Sequence, residues 1–439
     1  MRKQMIILLA VVCTTSVTNG WAQQKAAQQN EKLTFTTVVK NPITPVKNQS
    51  RSGTCWDYAT IGFFESEILR QTGRTLDLCE MFVANKNYMD EAIYHVRMHG
   101  DSRFSEGGSA DDVLWVLRTH GICPEDAMPA PGSLTGDELA NFHEFFPLLT
   151  PYVEAVAKSD AKKLSKQWQG GLQAILDAYL GECPERFSYE GKEYTPRSFA
   201  DSFGLCWDDY ISLTSYQHHP YHEWFIIEAP YKWRPQPSYN LPQDELLRLL
   251  DTALDNGYNV CWGGDVSGNG FTRQGLAQEA TEPSPEVRQQ RFDEWESTYD
   301  HVMLIFGKAV DQNGTEYYKV KNSWGTFGDY EGIWYMQKNY IAMNTFYLFL
   351  NRNAVPELQT ATTTLPVELR AGQDTTLTVG GHIPLSWDHA RARLSLGKST
   401  TSSREEQLHI RWTNIGEEGT INYTGEATTK NFAHTFTSR

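Results

Sequence analysis

The sequence predicts an α+β protein of two packed lobes. Three observations predict it. Downstream of Cys55, Ile61, Phe64 and Ile68 recur at helical spacing and Gly73 is placed to end the helix. Far along the chain, the apolar run from His301 to Gly307 and the run Thr315 to Lys321 flank the turn signal Asp311-Gln312-Asn313-Gly314, which reads as a β-hairpin. Between these two halves lies a long stretch of mixed character, and the 439 residues, 40% hydrophobic and 12% aromatic, are enough for two or three packed units.

Taken in order, residues 1–22 read as a secretory signal. Arg2 and Lys3 precede the apolar run Met5 to Val12, and Gly20-Trp21-Ala22 offers cleavage before Gln23. The run is too short to span a membrane. A lipoprotein anchor on Cys13 is the lesser alternative, because Val12 is larger than such a site prefers. An exported, periplasmic or secreted protein is therefore expected. A first, helical lobe covers about residues 49–125. Its second helix opens at Ser109-Ala110-Asp111-Asp112 with a capping pair, buries Val113, Val116 and Leu117, and stops at Gly121. An insertion over about residues 126–240 mixes helix, as from Trp168 to Leu180, with aromatic and proline-rich loops such as Tyr216 to Pro237. The second lobe, about residues 241–356, starts with a helix opened by Pro242, with Leu246, Leu250, Ala253 and Leu254 inward, and continues as strands through Met336. In residues 357–439, short apolar alternations such as Thr375 to Val379 and Gln407 to Trp412 read as a small β-domain or as a partly disordered tail.

The formal charge of −15 disfavours nucleic acid as a partner, since phosphate contacts need a basic surface. Setting aside Cys13 and Cys55 leaves Cys79, Cys123, Cys183, Cys206 and Cys261, an odd set whose pairing cannot be read from spacing. No C-x-x-C pair argues for structural zinc. His218-His219-Pro220-Tyr221-His222 raises the question of a metal, but His222-Glu223 lacks the second histidine of H-E-x-x-H, so a polar loop and no metal is the expectation. There is no G-x-S-x-G elbow for a serine nucleophile.

The chemistry concentrates at two places. In Gln49-Ser50-Arg51-Ser52-Gly53-Thr54-Cys55-Trp56 the chain passes from a turn into a helix, whose N-terminus favours thiolate through unpaired N–H groups and the positive end of the dipole. The ordinary alternative is a buried cysteine at a helix start. The hairpin brings His301 and Asn322 to one end of a sheet: an imidazole to take the thiol proton and an amide to orient it, with Trp324 placed to cover their hydrogen bond. Separately, Asn322 reads as a turn residue, Trp324 as core and His301 as a strand-end histidine. Their order in one chain favours the catalytic reading.

On these residues the sequence resembles the papain-like cysteine peptidases, and more closely their aminopeptidase C and bleomycin hydrolase branch. The resemblance implies a two-lobed papain-like fold with the site in the cleft between lobes. It assigns Cys55 as nucleophile, His301 as general base, Asn322 as its orienting residue and Gln49 as side-chain oxyanion donor, with Asp300 and Trp324 in support. In Glu106-Gly107-Gly108-Ser109 the paired glycines Gly107 and Gly108 resemble the shelf that binds substrate backbone. The separation of Cys55 from His301 far exceeds the about 130–150 residues of papain and cathepsins, which points to the branch with the inserted segment. Peptide substrates, no cofactor, and a homo-oligomer of the family's hexameric kind are implied. So is cleavage at peptide N-termini through a thioester acyl-enzyme. In that branch the C-terminal carboxylate enters the cleft, whereas here the chain continues far past the matched region. An endopeptidase with the same residues is the alternative, and a catalytically silent binding module is a further one.

Overall fold

The computed structural model describes residues 32–128 and 139–361, together with three strands at 393–396, 406–413 and 423–427. The expected signal segment, the strand at Thr375 to Val379 and the chain's last residues lie outside the described residues.

The first helix, Cys55–Thr72, is buried along almost its whole length from Trp56 to Ile68. A helix with no solvent face must satisfy its polar side chains internally. Glu65 accepts hydrogen bonds from Thr44 Oγ1 at 2.6 Å, Lys47 Nζ at 3.0 Å and the Leu78 N–H at 2.9 Å. Gly73 ends the helix in the left-handed region at φ 71°, which glycine adopts without penalty. Helices Glu80–Arg97 and Ala110–Thr119 pack around it, the latter opened by the expected capping box of Ser109 and Asp112. Trp56, Phe63, Phe64, Phe82, Tyr88 and Phe145 are among the large side chains of this lobe's core.

A ten-stranded sheet forms the second lobe. Its central strand is His301–Asp311, paired on one edge with Glu316–Lys321 and on the other with Val260–Gly264 and then Phe35–Lys40 in succession. Leu246, Leu250, Trp262, Trp334 and Leu348 fill a second core beneath it. The strand Phe35–Lys40, which composition alone does not announce, threads the N-terminal segment into the far lobe before the chain returns to Cys55.

The insertion is not a unit of its own. Its helices Phe145–Ala157 and Gln167–Leu180 extend the helical lobe, burying Phe145, Leu149, Leu172 and Leu176. Its strands Tyr210–Thr214, Trp224–Phe225 and Ser238–Asn240 instead continue the sheet through Thr345–Asn351. Two of those three strands have only two or three residues, too short for an alternation to show. The extension contains a three-stranded antiparallel sheet, in which the expected strand at Gln407 to Trp412 lies within Glu406–Thr413.

Candidate active site

Cys55 is the first residue of its helix and is half-buried. The turn before it is tied down on all sides: Ser52 Oγ donates to the Gln49 carbonyl at 2.7 Å, and the Gly53 N–H donates to Glu106 Oε2 at 2.7 Å. His301 begins the central strand opposite Gly264, and Lys321, opposite Leu304, hands the chain to Asn322. The hairpin register thus brings histidine and asparagine together, and His301 Nε2 lies 2.9 Å from Asn322 Oδ1. That oxygen also accepts the Ser323 N–H at 2.8 Å, which fixes the orientation of the amide. With Nε2 donating to Asn322, Nδ1 is the nitrogen left for the sulfur. Backbone N–H groups of Val302, Trp56 and Cys55 itself favour the thiolate. The Val302 contact puts the sulfur against the first peptide of the strand that His301 opens. The Trp324 ring lies 5.1 Å from the imidazole, tilted against it.

Gln49 is held by both ends of its amide. Its Oε1 accepts from Ser323 Oγ at 2.6 Å and its Nε2 donates to the Ser52 carbonyl at 2.7 Å. One Nε2 hydrogen remains to be donated into the cleft beside Cys55, where Gln49 is part of the lining. The cleft encloses about 480 Å³, and Cys55, His301, Asp300, Gly107, Gly108 and Trp324 also line it. All eight residues singled out in the sequence fall in or against this one region.

The electrostatics are set mainly by burial. It pushes the Cys55 thiol up to about 12, aided by the nearby Asp300, and the backbone N–H groups only partly offset it. It pushes the His301 imidazole down to about 4, against the opposing effect of the Asn322 hydrogen bond. Burial thus disfavours the charged form of each group, thiolate and imidazolium alike. Asp57, in the first turn below the sulfur, is raised well above the usual carboxylate range by burial, which favours a neutral acid there. Asp300 is raised to about 7 by burial; its Oδ1 accepts the Val266 N–H at 2.9 Å.

The paired glycines are needed for a reason the sequence did not carry. A Cβ on Gly107 would lie 2.3 Å from Tyr231 Cδ1, and one on Gly108 would lie 2.7 Å from Trp56 Cδ2. The Gly108 carbonyl already accepts from Tyr299 Oη at 2.6 Å. The glycine pair therefore lets two aromatic walls close on the cleft floor. Glu106, Tyr231, Tyr299 and Ser323 were not singled out for the site. Tyr231 comes from the insertion, and no spacing rule connects it to Cys55. The Ser323 role depends on the Gln49 N–H bonding to its carbonyl at 2.8 Å across the lobes.

The six described cysteines are all free thiols. Among the described residues no helix is long and apolar enough to cross a membrane.

The sequence pattern of the Peptidase C1-like family matches residues 89–374, a segment that contains His301 and Asn322 and begins after Cys55. Aminopeptidase C of Lactobacillus delbrueckii subsp. lactis is 23% identical over 398 residues, covering 79% of this chain and 88% of that protein. The mitochondrial cysteine proteinase 1 of Saccharomyces cerevisiae (strain YJM789) is 23% identical over 382 residues, covering 75% and 79%. Among solved structures, PepW from Lactobacillus rhamnosis superposes with a TM-score of 0.61 at 20% identity, covering 79% of this chain and 91% of that one.

Proposed function

The chain belongs to the Peptidase C1-like family, and from that premise we propose that it is a cysteine aminopeptidase that removes residues from peptide N-termini. The observation that carries the reading is the convergence of Cys55, Gln49 and His301 in one cleft, with Asn322 on the far ring nitrogen. In this mechanism Cys55 attacks the scissile carbonyl as thiolate and His301 holds the thiol proton. The spare Nε2 hydrogen of Gln49 and the Cys55 amide stabilise the tetrahedral oxyanion. Collapse to the thioester releases the amine, protonated by His301; water then attacks the thioester with His301 as base.

Relatives named aminopeptidase C support exopeptidase action. So do two carboxylates in the lining, Glu106 and Asp300, which suit the ammonium group of an unblocked substrate. Cleavage of an amino-acid anilide, compared with its N-acetylated form, tests this reading: the free amine is expected to be preferred, and preference for the blocked substrate makes the protein an endopeptidase. Cys55→Ser is expected to abolish turnover of both. Export belongs to the same proposal, on the strength of Arg2, Lys3 and the apolar run that follows. A mature chain starting at Gln23 in the extracytoplasmic fraction is the expected result. A homo-oligomer also belongs to it, to be read by sedimentation of the full chain.

A further inference from the structure

The loop that follows strand Tyr210–Thr214 assembles a group the catalytic site does not use. His218 Nε2 lies 3.0 Å from Glu228 Oε2, and His219 Nε2 lies 3.4 Å from Glu228 Oε1. The three ligand atoms lie within 4.8 Å of one another, and among the described residues no other group of three histidine, cysteine or acidic side chains converges in this way. None of the three lines the catalytic cleft.

The geometry is held from outside. Asn240, fully buried, accepts the Tyr216 N–H at 2.9 Å and donates to the carbonyls of Tyr216, His219 and Pro220 at 2.8, 2.9 and 3.1 Å, so the loop backbone is pinned. The His218 ring stacks on Phe292 at 5.4 Å and the His219 ring on Phe225 at 4.2 Å, which restricts both imidazoles. Behind His218 stands Gln289, whose Oε1 and Nε2 lie 3.2 and 3.0 Å from Nδ1. Gln289 is itself fixed by the Gln217 N–H at 2.7 Å and by Asp293 Oδ1 at 2.9 Å. Because both ends of that amide reach Nδ1, it serves either tautomer. With Nδ1 accepting, the Nε2 proton is shared with Glu228; with Nδ1 donating, Nε2 presents a lone pair. An orienting partner on the far ring nitrogen is what a metal-bound imidazole requires.

We propose that His218, His219 and Glu228 form a binding site for a divalent transition metal of the Zn2+ class, separate from the thiol site. Two imidazole nitrogens and a carboxylate suit zinc rather than the oxygen-seeking Mg2+ or Ca2+. Ligands at about 2.0–2.2 Å from an ion lie about 3–4 Å from each other, close to the spacing found here. Binding displaces the Nε2 protons to solvent, and water completes the coordination at this exposed position. Through Gln289 the ligand His218 is joined to helix Pro285–Asp293, the segment that leads to Tyr299 and His301. Glu228 also lies three residues before Tyr231, which walls the cleft.

The test uses the full-length chain carrying Cys55→Ser, so that the catalytic thiolate does not compete for metal. Titration with Zn2+ against a chromogenic chelator is expected to show one saturable equivalent, lost in both His218→Ala and Glu228→Gln. Gln289→Ala is expected to weaken it by about 10–100-fold. His222→Ala, an exposed neighbour paired with Glu245 instead, is expected to retain it. Bound Co2+ is expected to show visible d–d bands without thiolate charge transfer, and melting curves in chelator verify that each variant is folded. Absence of a saturable equivalent, its survival in folded His218→Ala and Glu228→Gln, or a thiolate charge-transfer band overturns the proposal.

Discussion

Asn322→Ala isolates the orienting hydrogen bond. In the wild-type protein Asn322 Oδ1 accepts from His301 Nε2 at 2.9 Å and from the Ser323 N–H at 2.8 Å, with His301 and Asn322 only 4% and 1% exposed. Truncation leaves two buried donors without an acceptor, each costing about 1–3 kcal/mol. If the histidine share falls on the reacting state, kcat/KM drops about 5- to 150-fold, at about 1.4 kcal/mol per factor of ten. The direction in pH follows from the same bond. It raises the His301 pKa against burial, so its loss drives the imidazole below its value of about 4 and weakens the thiolate–imidazolium pair. Iodoacetamide alkylation of Cys55 should slow at every pH, which a purely structural role for Asn322 does not require. Asn322→Asp, which keeps an acceptor, should recover most of the alkylation rate. If a folded Asn322→Ala alkylates within about twofold of wild type, the orienting role is refuted.

Gln49→Ala removes the spare oxyanion donor and should lower kcat by about 100- to 1000-fold with little change in KM. Ser323→Ala removes only the 2.6 Å hold on Gln49 Oε1 and should cost less, a ranking that steady-state kinetics checks. Gly108→Ala presses a methyl to 2.7 Å from Trp56, which is 1% exposed, and should destabilise by about 1–3 kcal/mol in urea titration. In Gly170→Ala nothing lies within 4 Å of the added methyl in helix Gln167–Leu180, so a gain of about 0.5–1 kcal/mol is expected. Asp300 is protonated below about 7 and charged above it, and its charge opposes the Cys55 thiolate. Asp300→Asn should therefore accelerate alkylation of Cys55 above about pH 7 and leave it unchanged below; equal acceleration at both ends of the range contradicts that assignment.

What the sequence made legible were the parts whose physics is local. The helix from Cys55 is written in Ile61, Phe64, Ile68 and Gly73, and the hairpin in the turn at Asp311 to Gly314, so Cys55 at a helix start and the neighbouring His301 and Asn322 were legible from pattern. The division of the insertion between the two lobes was not legible, because it is decided by non-local pairing: Tyr210–Thr214 lies against Thr345–Asn351, and short strands carry no period. Residues of the insertion loop were hidden for the same reason. Tyr231 reaches the cleft, and Glu228 meets His218 and His219, only because the loop doubles back. The local spacing around His218 to His222 carries no sign of Glu228, which comes from a different turn of the chain.

The same non-local assembly accounts for the electrostatics of the site. Cys55 belongs to a helix buried in one lobe, and His301 to the first position of the other lobe's central strand. In a half-assembled chain each would be solvated and would keep its ordinary affinity for protons. Lobe closure removes that water, which raises the thiol toward 12 and lowers the imidazole toward 4. It also delivers what offsets the cost: the Val302 N–H from the strand, the helix dipole at Cys55 and the Asn322 acceptor behind the ring. A thiolate–imidazolium pair would therefore draw its stabilisation from both lobes. A substitution that loosens the Gln49–Ser323 contact between the lobes should reduce thiol reactivity without touching either reacting atom.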